Sequence, residues 1–128
     1  MKKKILCIDD SLTSLILLEY ALSAEGYEIY TAKSVNEAKN IINNHIPDLI
    51  LLDLSMPEIS GYDFLRMRKE LNIENVKIFI ISAHGSEESI ELTKSFGVTD
   101  YILKPLRIDE LSGKIRNLFE SGETDTKI

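Results

Sequence analysis

Apolar positions along the chain follow two rhythms. Five short blocks are rich in apolar residues: Lys3–Asp9, Asp48–Leu54, Val76–Ser82 and Asp100–Lys104 are compact runs, Asp48–Leu54 almost wholly apolar, while Tyr27–Ala32 alternates more. Blocks of this length and density predict strands buried on both faces, as in a parallel sheet. Each block is followed by a stretch of helical period. After the first comes SLTSLILLEYALSAEG, with Gly26 placed as a stop. Ser34 stands three residues before Glu37, the spacing of a capping box, ahead of Ala38, Ile41 and Ile42. Ser60 and Asp63 precede Phe64, Leu65 and Met67. Glu87 and Glu88 suit the positive end of a helix starting near Ser86 and stopping at Gly97. Ile108, Leu111, Ile115 and Leu118 recur at spacings of three and four. The pattern is βα repeated five times, an α/β architecture.

With 128 residues, the chain has the length of one domain. The expected boundaries are a domain over 1–121 and a polar tail over 122–128. Hydrophobic residues make up 44%, enough for one core, and 21 acids against 15 bases give a net charge of −6. An acidic domain repels phosphate backbones, so direct nucleic-acid contact is not expected. The basic Lys2–Lys4 run reads as a solvated start to the first strand. A single cysteine excludes an intrachain disulfide framework and a cysteine-based zinc site. Cys7 reads as a core residue, and a cytoplasmic location fits. No apolar run approaches the ~18 residues of a membrane span.

The polar residues at the block ends carry the chemistry. Asp9 and Asp10 end the first block, Asp53 the third, Ser82 the fourth and Lys104 the fifth. In an open parallel sheet the carboxyl ends of the strands share one edge, and ligands bind there. A reversal of winding between the first and third strands would seat Asp9, Asp10 and Asp53 together. Two unit charges ~5 Å apart repel by roughly 3 kcal/mol at an effective dielectric of ~20. A hard, oxygen-seeking cation relieves that, and Mg2+ suits carboxylates shared with water and a phosphoryl group. Lys104 adds a mobile positive charge and Ser82 a hydroxyl. Together these residues suit a doubly negative phosphoryl group with a metal beside it.

In this order and on these strands, the residues resemble a receiver domain of two-component response regulators, of the single-domain, chemotaxis-regulator-like kind. The resemblance covers about residues 3–119. It rests on the Asp9–Asp10 pair, DLSMPEISG from Asp53 to Gly61, ISA at Ile81–Ala83 and DYILKP at Asp100–Pro105. It implies a flavodoxin-like (βα)5 fold, strand order 2-1-3-4-5, with helices on both faces.

The resemblance also implies roles. Asp53 is the phospho-acceptor, attacking a phosphoryl group carried on a kinase histidine. Asp10, Asp53 and the Ser55 backbone carbonyl bind Mg2+ (or Mn2+), and Asp9 acts through a water. Lys104 contacts a phosphoryl oxygen, Ser82 donates its hydroxyl, and Tyr101 is the aromatic switch. Pro105 follows a cis bond. Ser55, Ala83 and His84 flank the phosphoryl group. His84 has three readings: to orient the attacking water, to obstruct it, or to face solvent. Pro57 terminates the loop after Asp53, and Gly61 supplies backbone freedom at the third helix. His45 ends a helix and complements its dipole.

The implied function is a phosphorylation-controlled switch. A sensor histidine kinase or phosphotransfer protein supplies the phosphate, and a downstream protein binds the face of the fourth helix, fifth strand and fifth helix. Chemistry would be limited to self-catalysed phosphotransfer and dephosphorylation, with no membrane partner. Two alternatives share the site: a Mg-dependent phosphatase with an aspartyl nucleophile, and a passive phosphorelay carrier. The phosphatase usually has a second aspartate two positions after the nucleophile, where this chain has Ser55. A flavin carrier would need a phosphate loop after the first strand, and DDSLTS is acidic and lacks glycine.

Overall fold

The computed structural model describes residues 2–54 and 61–126. In chain order the elements are β1 (Lys4–Ile8), α1 (Leu12–Ser23), β2 (Glu28–Ala32), α2 (Val35–Asn44), β3 (Leu49–Asp53), α3 (Gly61–Arg66), β4 (Lys77–Ser82), α4 (Glu87–Ser95), β5 (Asp100–Leu103) and α5 (Ile108–Thr126). Ser60 and Pro57 lie outside the described residues. The α5 backbone remains helical beyond residue 121, where the sequence suggests a tail. That stretch contains no proline, the residue that most strongly breaks a helix.

The strands form one parallel sheet in the order β2-β1-β3-β4-β5. The sheet therefore winds outward in both directions from β1 and β3, and the reversal lies between these two strands. Ile8 pairs with Leu52, so the residues that follow, Asp9 and Asp53, face each other across the switch point.

Strand alternation divides the core into two layers. Leu6, Ile8, Ile50, Leu52, Ile78 and Ile80 point to one face, against Val35, Ala38 and Ile42 of α2 and Phe64 and Leu65 of α3. Ile5, Cys7, Leu49, Leu51, Phe79 and Ile81 point to the other, against Leu15, Leu18 and Leu22 of α1 and Leu111 and Ile115 of α5. Double-sided burial explains why these strands read as apolar runs rather than as alternating ones. Cys7 is fully enclosed, and burial pushes its thiol up to about 12, so it behaves as a small hydrophobe.

Serine caps set the helix starts. The side chains of Ser11, Ser34 and Ser86 accept from the backbone N–H groups of Ser14, Glu37 and Ser89 at 3.3, 3.1 and 3.2 Å. The reciprocal arm at α2 differs from a capping box in one detail. The Glu37 carboxylate accepts from the N–H of Lys33, one residue before the cap, at 3.0 Å. His45 caps the C-terminus of α2, and its ring stacks on Tyr30 with centroids 4.8 Å apart.

Candidate functional site

β1 and β3 deliver their terminal carboxylates to the carboxyl edge of the sheet. Asp9 and Asp53 are only 3% and 2% exposed, while Asp10 is exposed. One oxygen from each of Asp9, Asp10 and Asp53 lies within 4.8 Å of the others. The orientation of Asp9 is fixed from two sides. Its own N–H donates to the Ala32 carbonyl at 3.0 Å, and its Oδ1 accepts from Ser11 N–H, at the start of α1, at 2.9 Å.

Lys104 reaches in from the end of β5. Its Nζ donates to Asp53 Oδ2 at 3.1 Å and lies 3.9 Å from Asp9 Oδ2. The Lys104–Pro105 peptide bond is cis. Burial is the largest single influence on the Lys104 ammonium and acts to lower its pKa. The bond to Asp53 and the charges of Asp53, Asp9 and Asp10 together outweigh it, so the net shift is upward. Asp9 moves from its ordinary 3.8 up to about 6. Burial is the main cause. The Ser11 N–H and Lys104 oppose the shift, and the neighbouring Asp53 adds to it. Three carboxylates against one ammonium leave the pocket short of positive charge. All the donors are hard oxygens, so the set fits a small divalent cation.

β4 brings Ser82 to the same edge, 2% exposed. Its Oγ accepts from His84 N–H at 3.1 Å, and its carbonyl accepts from Lys104 N–H at 2.8 Å. The carbonyl of His84 accepts from the Tyr101 hydroxyl at 2.5 Å. Ala83 and His84 are both exposed, and it is the backbone of His84 that the structure engages. Tyr101 is half-buried on the edge strand. Ser55 lies outside the described residues.

Gly61 stands close to Asp53 for a reason the sequence does not reveal. A Cβ at this position would sit 2.9 Å from Leu54 Cδ2, 3.0 Å from Leu54 Cα and 3.1 Å from the Asp53 carbonyl oxygen. The glycine lets the start of α3 press against the backbone that carries Asp53. Close approach, rather than freedom to adopt positive φ, is its role.

Two further features escape a reading by strand ends. The bridging peptide groups of His84 have no sequence signal, because backbone groups carry none. The outer face of α1 does have one. Leu12, Ile16, Leu17 and Tyr20 are 57%, 58%, 50% and 79% exposed along the helix that follows Asp10. The segment LTSLILLEY has apolar residues all round, more than one sheet face can bury. Leu17 also lines a pocket of about 300 Å³ with Ser14, Lys104, Pro105 and Leu106.

Comparison with known proteins places the chain in a family. The family described as response regulator receiver domain matches residues 5–116. The chain belongs to that family. Among curated relatives, this receiver domain is 33% identical over 116 residues to the sporulation initiation phosphotransferase F of Bacillus subtilis (strain 168), covering 91% of this chain and 93% of that protein. It is 36% identical over 126 residues to the probable transcriptional regulator ycf27 of Cyanophora paradoxa, covering 98% of this chain but 52% of the relative. The chain thus spans nearly all of the first and about half of the second. A CheY-like response regulator receiver domain protein from Methanospirillum hungatei JF-1 superposes with a TM-score of 0.88 at 27% identity, covering 98% and 99% of the two chains. Vibrio cholerae chemotaxis protein CheY4 gives 0.86 at 25% identity, covering 91% and 98%. Receiver domains of this family accept phosphate from kinases and bind Mg2+ at an acidic aspartate cluster, and Asp9, Asp10 and Asp53 form such a cluster here. Among the described residues no helix is long and apolar enough to cross a membrane.

Proposed function

We propose that Asp53 is the phospho-acceptor of a Mg-dependent signalling switch. A carboxylate oxygen of Asp53 attacks phosphorus on a phosphohistidine of a sensor kinase or phosphotransfer protein. The P–N bond breaks, its electron pair stays on the imidazole, and an acyl phosphate forms on Asp53. The observation that carries this reading is the buried Asp53 carboxylate, 3.1 Å from Lys104 Nζ and clustered with Asp9 and Asp10.

Each neighbour is assigned a role in this reaction. Asp10, Asp53 and the Ser55 carbonyl would hold the cation, and Asp9 would hold it through a water. The cation supplies charge neutralisation of the phosphoryl oxygens. Lys104 shifts its hydrogen bond from Asp53 to a phosphoryl oxygen. The carboxylate gives up its charge and receives roughly −1.5 to −2 charges of phosphate. The Ser82 hydroxyl turns to donate to that phosphate and ceases to hold the His84 N–H. Ala83 and His84 border the route by which water reaches the acyl phosphate, and Ser55, two positions after Asp53 in the sequence, is assigned the same part. Tyr101 follows the 84–86 loop, and the α4-β5-α5 face changes for a downstream protein. The Leu17–Pro105–Leu106 pocket shares Lys104 with the acceptor site, and with the exposed apolar residues of α1 it suits an apolar helix of the phosphate donor. A cytoplasmic site of action fits this chemistry.

A second reading, a phosphoryl carrier that passes its group to another protein, draws support from the near full-length match to a sporulation phosphotransferase. Incubation with a small phosphodonor, with and without Mg2+, separates the classes by intact mass. A switch or carrier takes one phosphate and holds it. An aspartyl phosphatase consumes donor continuously. Addition of a candidate phosphotransfer protein then separates carrier from switch, since only a carrier loses its label to the partner histidine.

A further inference from the structure

α4 is the most lightly held of the helices. Only Thr93 is buried, while Glu87, Glu88, Glu91, Leu92, Lys94 and Ser95 all face solvent. Its two ends are fastened in different ways. The segment before its N-cap Ser86 is held through His84, whose N–H and carbonyl are engaged by Ser82 and Tyr101. These are groups of the acceptor site and its switch, so this fastening changes when Ser82 turns away.

The C-terminal end is fastened by a residue outside the site. Arg68, in the turn after α3, sends its guanidinium inward. Nη1 donates to the carbonyl of Phe96, the C-cap of α4, at 2.7 Å. Nη2 donates to the carbonyls of Glu74 and Val76 at 3.1 and 3.0 Å. Val76 leads into β4, so one planar group joins the end of a loosely packed helix to the start of a central strand. The charge also lies at the negative end of the α4 dipole. Nε is buried with no hydrogen-bond partner, a cost the three carbonyl contacts must offset. A lysine at this position offers one point charge and cannot hold three separated carbonyls in one plane.

We propose that Arg68 is the pivot of α4: it pins the helix's C-terminal end to the start of β4, so that changes at Ser82 and Tyr101 swing the N-terminal half of α4 about that end. This rests on the proposed switch at Asp53. It adds that the output face has a fixed end near Phe96 and a moving end near Ser86. A partner that senses phosphorylation through α4 would therefore read residues 84–91 rather than residues 94–98.

Amide hydrogen exchange with beryllofluoride and Mg2+ as the phosphoryl analogue tests this on the full chain. In the wild type, the analogue should change exchange over residues 83–91 and leave 94–98 unchanged. Arg68→Met should raise exchange at 94–98 by about ten-fold without the analogue. It should also let the analogue's effect run the length of α4. Affinity for the analogue should stay within about two-fold, since Arg68 does not touch the pocket. Arg68→Lys should fall between the two and supports the test if the methionine variant does not fold. A wild-type α4 that responds equally at both ends, or substituted proteins with unchanged exchange at 94–98, would overturn the pivot. If the analogue does not bind at all, the acceptor reading fails, and with it the pivot's role in switching. Failure of the pivot alone leaves binding intact.

Discussion

The hydroxyl of Tyr101 donates to the backbone carbonyl of His84 at 2.5 Å, across 17 positions of sequence. The N–H of the same His84 donates to Ser82 Oγ at 3.1 Å. One exposed residue therefore holds, through its two backbone groups, the Ser82 hydroxyl and the tyrosine of the edge strand. Coupling between Ser82 and Tyr101 needs no direct contact between them.

Tyr101→Phe tests this coupling. The ring and its packing remain, and one hydrogen bond is lost. The expected cost is about 0.5–1.5 kcal/mol. Phosphate uptake on Asp53 should be retained, while amide exchange over residues 83–86 should rise with or without phosphate. Denaturant melts and exchange mass spectrometry check both, and an unchanged 83–86 segment would break the proposed link.

Gly61→Ala should harm the acceptor without touching its side chain. A methyl group here meets the Leu54 Cα at 3.0 Å and the Asp53 carbonyl at 3.1 Å, and these backbone atoms can yield only by moving Asp53. Overpacking of this kind costs about 1–3 kcal/mol. Phosphorylation should slow more than the loss of folded fraction accounts for, as measured by labelling rate against the folded population at the same temperature.

Much of this site is legible in the sequence, because strand ends are. Asp9, Asp53, Ser82 and Lys104 each follow or close an apolar run, and parallel topology brings such ends to one edge. The same logic places Cys7 and Leu51 in the core. What stays hidden is contact made by backbone or by close approach. Gly61 reads as a flexible residue, yet it serves as a spacer against Leu54. Arg68 lies among charged residues in RMRKE with nothing to mark it, yet its guanidinium is committed to three backbone carbonyls. The Ser112 hydroxyl, bonded to the Glu25 carboxylate across α5 and the end of α1, has no periodicity to announce it either.

Stability of the metal-free protein should depend on pH through Asp9. Its carboxyl sits at about 6 in the folded chain against an ordinary 3.8, so between these values the native state binds more protons than the unfolded state. The contribution of Asp9 to stability therefore falls as pH rises from about 4 to about 6, and its full cost is present above that window. Asp9→Asn removes the ionisation while keeping an acceptor for Ser11 N–H. In chelator, the variant's stability relative to wild type should increase from pH 4 to pH 7 and then level off. A difference that is flat across this range, or that shrinks, would contradict the crowded pocket.

Asp10→Asn separates stability from function. Removing one of three clustered carboxylates should raise the melting temperature in chelator. Saturating Mg2+ should stabilise the wild type by ~2.7 kcal/mol at about a hundred times the dissociation constant. The variant should gain little from Mg2+ and phosphorylate poorly. Melting curves with chelator and with Mg2+ decide this, and a variant that melts lower than wild type in chelator would refute the charge argument.

The acceptor itself can be located chemically. An acyl phosphate on an aspartate is reduced by borohydride to the corresponding alcohol, whereas a phosphate on serine or histidine is not. The protein is to be labelled with a small phosphodonor and Mg2+, treated with borohydride and mapped by peptide mass spectrometry. The account predicts one reduced site per chain, at Asp53, absent without Mg2+ and absent in Asp53→Asn. Reduction at Asp9 or Asp10, or a labelled chain with no reducible site, would contradict it.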